Sequence, residues 1–210
     1  MFKSIELNHR TLESACKKSK VNWEWWYDDF THCGSFSEMP VFLDYPRFRG
    51  FGADYSVFRG LQAEECETIR VWFRAQANPT SFSELFKNFM CFSRNKQDFK
   101  GPAQNRVSLV SKLLTMWKPR DFAMWDTLAK KGLKSLHGSR RGHCYTSNTA
   151  NIYKIFNEDF FALLAEKESE LRTICGGFEH FIEDSNFVPR ILDNYLLLVG
   201  SGAERNGPES

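Results

Sequence analysis

The sequence predicts a mainly α, compact helical domain, and three observations carry that expectation. Apolar residues recur at helical spacing along most of the chain. No internal repeat divides it, and 210 residues suffice for one full core. The 20 Phe and 6 Trp supply large apolar areas, so that core needs neither metal nor disulfide. The expected organisation is one helical domain over residues 1–199, with a disordered tail over 200–210.

Taken in order, the periodicity predicts helices over roughly 4–18, 22–30, 61–76, 82–92, 104–117, 126–135, 149–173 and 187–198. The stretch 31–59, rich in Gly, Pro, Phe and Tyr, reads as a long ordered loop. Trp23, Trp25, Trp26 and Tyr27 have the spacing of a buried helix face, with base stacking as the functional alternative. Gly132, Gly138, Ser139 and Gly142 mark a basic loop after the sixth helix.

The 104–117 helix is unusual in its polar side. Val107, Leu109, Val110, Leu113, Leu114, Met116 and Trp117 fill half the wheel, and Ser108, Ser111, Lys112 and Thr115 form a narrow stripe opposite. Small hydroxyl residues let another surface approach closely, whether DNA, a ligand or a neighbouring helix. Pro119 ends the helix. Asp126 then stands at an N-cap position before Thr127, where free backbone N–H groups and the helix dipole stabilise a carboxylate.

Charge is unevenly spread. Arg94–Arg141 holds 12 Lys/Arg against 3 Asp/Glu, a local +9, while the rest of the chain carries −7. Such a block is the footprint of a phosphate-binding face, and a solvated helix surface is the plainer alternative. Arg120, Lys130, Lys131, Lys134, Arg140 and Arg141 flank Asp126 and are the candidate phosphate partners.

Other chemistries find little support. His32-Cys33 and His143-Cys144 have no common zinc spacing, and His9, His137 and His180 are isolated. No GxSxG and no GxxxxGK[ST] occurs. No metal and no small-molecule cofactor is expected. The six scattered cysteines and the charged N-terminus predict free thiols, a cytoplasmic location and no membrane association.

The segment VSLVSKLLTMWKPRDFAMWDTLAKKGL resembles part of the helix-hairpin-helix DNA glycosylase superfamily, and within it the small prokaryotic proteins with an 8-oxoguanine-glycosylase-like fold. There, an apolar helix and a short linker precede an Asp-Thr, Asp-Ser or Asp-Val pair that opens the next helix, as Asp126-Thr127 does here. Val188–Leu196 is similar to the small family's Arg-x-x-Asp-x-x-Leu helix, through Arg190 and Asp193. The two segments cover about a fifth of the chain. Two departures stand out. Phe99-Lys100-Gly101-Pro102-Ala103 replaces the family's Leu-Pro-Gly-x-Gly hairpin, and Val107 occupies the position of the lysine nucleophile in bifunctional members.

The resemblance implies a monomeric glycosylase that flips a modified base out of double-stranded DNA and hydrolyses its N-glycosidic bond. Repair of host DNA and defence against modified viral (phage) DNA both suit the family. Asp126 is the expected catalytic carboxylate and Lys112 a second candidate. Ser111, Trp125, Arg190 and Asp193 are the expected base pocket. A structural ion pair is the plainer reading of the last two. A non-catalytic nucleic-acid-binding module on the same scaffold, or a helical protein-interaction domain, is the competing function.

Overall fold

The structure is a computed structural model, and it describes residues 6–31, 48–49, 61–76, 81–94, 106–137, 145–174 and 187–202; in the 22–31 stretch and at Ser93, Arg94 and Met116 only the backbone is described. Among these residues the chain forms seven α-helices and no strand: α1 (His9–Thr31), α2 (Ala63–Arg74), α3 (Phe82–Arg94), α4 (Arg106–Trp117), α5 (Thr127–His137), α6 (Ala150–Ile174) and α7 (Phe187–Ser201). The mainly α expectation holds. No helix among the described residues is long and apolar enough to cross a membrane.

Helix α7 lies at the centre. Every residue from Phe187 to Leu196 is buried, including Arg190, Asp193 and Asn194, and the helix packs against α1, α5 and α6. Pro189 is accommodated because it falls in the first turn, where its missing N–H would have no helical partner. α5 and α7 cross with their backbones in contact. A Cβ built on Gly132 would overlap the Leu196 carbonyl, and one on Gly200 the Leu128 carbonyl. Glycine at both positions therefore fixes how near Asp126, at the head of α5, comes to α7.

Aromatic side chains fill the rest of the core. Trp72 of α2 meets Phe89 of α3 edge-on at 4.8 Å, and Phe73 meets Trp117 of α4 at 5.4 Å. Phe82 stacks on Tyr153 of α6, and Phe156 packs edge-on against Trp125 and Tyr145. Burial pushes the Tyr153 phenol well above its usual value, so it stays a neutral donor.

Four expectations need correction. Residues 4–18 and 22–30 do not form two helices: α1 is continuous from His9 to Thr31, since no Gly or Pro interrupts it. The tail was expected from Gly200, yet α7 runs through Ser201, because Gly200 is needed at the α5 crossing. Free thiols are found at Cys66 and Cys91, whereas Cys16 is disulfide-bonded; sequence spacing says nothing about which thiols meet in space. The stripe on α4 is not a surface. Ser111, Lys112 and Thr115 are all buried; Ser111 and Lys112 face Trp125 and Asp126 of the polypeptide that follows the helix, and Thr115 donates back to the Ser111 carbonyl.

Trp23, Trp25, Trp26 and Tyr27 are helical in backbone, with side chains outside the described residues. The basic loop with Arg140 and Arg141, the 99–103 hairpin and both His-Cys pairs also lie outside them.

Candidate active site

The site is built on the linker between α4 and α5. Lys118–Phe122 closes a turn through the Asp121 and Phe122 N–H groups on the Lys118 carbonyl, and side chains from neighbouring elements bond much of the remaining backbone up to Trp125. Asn157 of α6 accepts from the Ala123 N–H at 2.7 Å and donates to the Asp121 carbonyl at 2.9 Å. The Tyr153 hydroxyl donates to the Ala123 carbonyl at 2.9 Å. From α4, the Ser111 hydroxyl accepts the Trp125 N–H at 3.0 Å while donating to the Ser108 carbonyl. The Trp125 indole N–H reaches Asn148 at 3.0 Å. With the linker held on several sides, the position of the next residue is set.

That residue is Asp126. Its Oδ1 accepts the Leu128 N–H at 2.8 Å, and its carbonyl accepts the Lys130 N–H at 3.0 Å, so it caps α5 as the sequence predicts. Its Oδ2 faces Lys112 Nζ at 3.7 Å. The two side chains differ sharply in access: Asp126 is 34% exposed and Lys112 only 8%. The carboxylate therefore stands at the mouth of the site and the amine behind it.

The buried side is completed by α7. Arg190 Nη1 donates to Asp193 Oδ2 at 2.7 Å and lies 3.2 Å from Met124 Sδ of the linker. Ser19 of α1 donates to the Arg190 carbonyl and accepts from the Asn194 amide. Asp193 Oδ1 is buried and accepts no hydrogen bond among the described residues.

Burial dominates the electrostatics of this corner. It pushes the Lys112 ammonium below the usual lysine value, against the opposing pull of Asp126 and Asp193, with Arg190 adding to the depression. Burial likewise pushes the Asp193 carboxyl up, against the stabilising charges of Arg190 and Lys112, while Asp126 reinforces the rise. Both groups are thus driven toward their neutral forms.

The structure brings together four of the residues that the sequence singled out, from three separate segments: Lys112, Asp126, Arg190 and Asp193. Lys130 lies beside them, its Nζ 4.2 Å from the centre of the Trp125 ring, and burial lowers its pKa against the pull of Asp126. Lys131 and Lys134 are exposed along α5. Ser111 and Trp125 are buried and engaged in holding the linker. Arg120 turns away to pair with Glu168 of α6 at 3.1 Å.

Sequence reasoning missed Met124, Ser19, Asn148 and Asn157. Only Ser19 left a trace, as a small hydroxyl residue in a helix, and nothing linked Asn157 to a segment more than thirty positions earlier. No group of three or more potential metal ligands occurs among the described residues.

No protein-family model, characterised protein or solved structure matches this chain significantly.

Proposed function

We propose that the chain is a DNA glycosylase that extrudes a modified base from duplex DNA and breaks its N-glycosidic bond, leaving an abasic site. The observation that carries this reading is the Lys112–Asp126 pair: a partly exposed, helix-capping carboxylate in front of a buried amine, inside the basic segment.

Breaking an N-glycosidic bond builds positive charge on the sugar, as in the oxocarbenium-like transition state of glycoside hydrolysis. A carboxylate already fixed by a backbone N–H needs no reorganisation to stabilise that charge. Asp126 is fixed in this way and open on one side, where it can also orient an attacking water. Lys112 lies behind it, with an amine that burial biases toward the nucleophilic neutral form. Attack by that amine on the anomeric carbon would displace the base; opening of the sugar ring C–O bond would then give a covalent imine, and β-elimination of the 3′ phosphate from it would cleave the strand. Arg190 and Asp193 form the wall of the same corner. Lys131 and Lys134 offer exposed charge to phosphates, joined by Lys130 at the rim, while Arg120 would first have to leave Glu168. Extruding the base costs a few kcal/mol, offset by such phosphate contacts. Modified viral DNA and damaged host DNA are both substrates of the right class.

The test is incubation with duplexes carrying oxidised, alkylated, deaminated or phage-type modified bases, followed by alkali to reveal abasic sites. Alkali-dependent cleavage of at least one duplex is expected, and cleavage without alkali would assign Lys112 the covalent step. Salt-sensitive binding with no abasic site on any duplex would establish the non-catalytic nucleic-acid-binding module instead. No binding at physiological salt would remove both.

A further inference from the structure

Extruding a base leaves a gap in the stack that neither Asp126 nor the phosphate contacts fill. Water fills such a gap poorly, because the base faces on either side are apolar. Proteins that deform duplexes insert an apolar side chain between base steps instead. Such a side chain has to be exposed and carried on a firmly held backbone. It also has to stand beside the carboxylate, since an extruded nucleotide keeps its sugar on the strand next to the gap.

Among the described residues, the large apolar side chains that stand exposed are Val21, Val71, Leu128 and Ile155. Of these, Leu128 alone lies in the basic Arg94–Arg141 segment. Single exposed apolar residues are ordinary on protein surfaces, so exposure by itself decides nothing. Position does. The Leu128 N–H is the donor to Asp126 Oδ1 at 2.8 Å, which puts its side chain in the same turn as the carboxylate. Its carbonyl lies at the α5–α7 crossing, so close to Gly200 that a Cβ there would overlap it. The backbone of Leu128 is thus anchored on both sides, the mounting that an inserted side chain needs. The surroundings suit a polyanion. Lys131 and Ser135 follow at helical spacing on the same exposed face, Lys134 is exposed beside them, and α5 itself carries no acidic residue.

We propose that Leu128 enters the duplex where the modified base has left it, its side chain packing against the neighbouring bases while Asp126 faces the sugar of the extruded nucleotide. The preferred partner is therefore a duplex with a gap in its stack, more than a duplex as such. Leu128 is on this account a positioning residue: it touches no reacting atom and acts by holding the extruded state open. Covering its exposed surface with base faces offsets part of the cost of unstacking. The inference rests on the proposed function and adds what stabilises the extruded state; its test needs no excision, so each can fail alone.

Binding of the whole protein is measured by fluorescence anisotropy on two duplexes of the same sequence. One is fully paired; the other carries a single tetrahydrofuran residue, an abasic analogue with a gap already in its stack and no base to excise. Wild type should bind the gapped duplex at least about tenfold more tightly, the order expected for burying a leucine side chain. Leu128→Ala should bring the two affinities within about twofold of each other, and Leu128→Met, close in volume, should keep the preference. Lys131→Ala should weaken both duplexes alike, and Val71→Ala, on the exposed side of α2, should change neither. A loss of folded protein lowers both affinities equally, so their ratio reports insertion and not stability. Equal binding of the two duplexes by wild type, or a preference that survives Leu128→Ala, would overturn the assignment and leave the glycosylase reading standing. Self-association that depends on Leu128, without DNA binding, would overturn both and give the residue to a second copy of the chain.

Discussion

Two groups of ion pairs in this protein have similar chemistry and opposite circumstances. Arg120 and Arg172 converge on one oxygen of Glu168 at 3.1 and 2.8 Å, with all three side chains about a third exposed. Lys112, Asp126, Arg190 and Asp193 form the second group, in which Arg190, Asp193 and Lys112 are almost wholly buried. The exposed group is well bonded although its removal would cost little in water. In the buried group Lys112 and Asp126 stand 3.7 Å apart, and Asp193 Oδ1 accepts no hydrogen bond among the described residues. Burying charges usually costs more than their attraction returns, and apolar residues of similar volume often serve as well or better. A group that is expensive to bury is understood when its charges have work to do, and transition-state stabilisation is such work.

The contrast can be broken at several points. The largest effect on stability is expected at Arg190. Arg190→Met leaves the Asp193 charge buried without its partner and should cost about 3–5 kcal/mol in urea unfolding, most of it recovered in the Arg190→Met/Asp193→Leu double variant. A single-variant loss below about 1 kcal/mol would mean that the buried pair is no more consequential than the exposed one. Gly132→Ala comes next. Its methyl group would meet the Leu196 carbonyl, a backbone atom that cannot turn aside, and a loss of about 1–3 kcal/mol is expected from forcing α5 away from α7. Asp126 should shift with α5, so excision should fall further than the stability change alone explains.

The smallest effect belongs to the exposed group. Arg120→Ala should cost less than about 1 kcal/mol. The Glu168 carboxyl is held below its usual range first by hydrogen bonding from Arg172 and then from Arg120. Its folded pKa is thus depressed, so its contribution is complete above the ordinary glutamate value and disappears as pH falls through the folded one. Comparing wild type and Arg120→Ala by thermal unfolding should show a difference that shrinks through that acidic window and with added salt.

How far this was legible in the sequence differs between the helices and the site. Helices with capping or breaking residues were found closely: α4 ends before Pro119, α5 begins after Asp126, and α7 begins at Phe187. Where no such residue stands, as between Ala15 and Trp23, the boundary was misplaced. The α4 stripe showed that something packs closely there without showing what, because the partner is the linker a few residues on, folded back onto Ser111. Lys112 and Asp126 could be suspected of meeting, being one linker apart. That Arg190 and Asp193 join them depends on the Gly132–Gly200 crossing of α5 and α7, a contact between backbones that leaves in the sequence only two glycines.

The central proposal is that the buried corner, with Asp126 at its mouth, carries the chemistry. Its most direct test is the single-turnover excision rate of Asp126→Asn beside Arg120→Ala, on a duplex the wild type cleaves. The account predicts a loss of at least about a hundredfold for Asp126→Asn, with DNA binding retained, and little change in rate for Arg120→Ala. Excision by Asp126→Asn at the wild-type rate would contradict it.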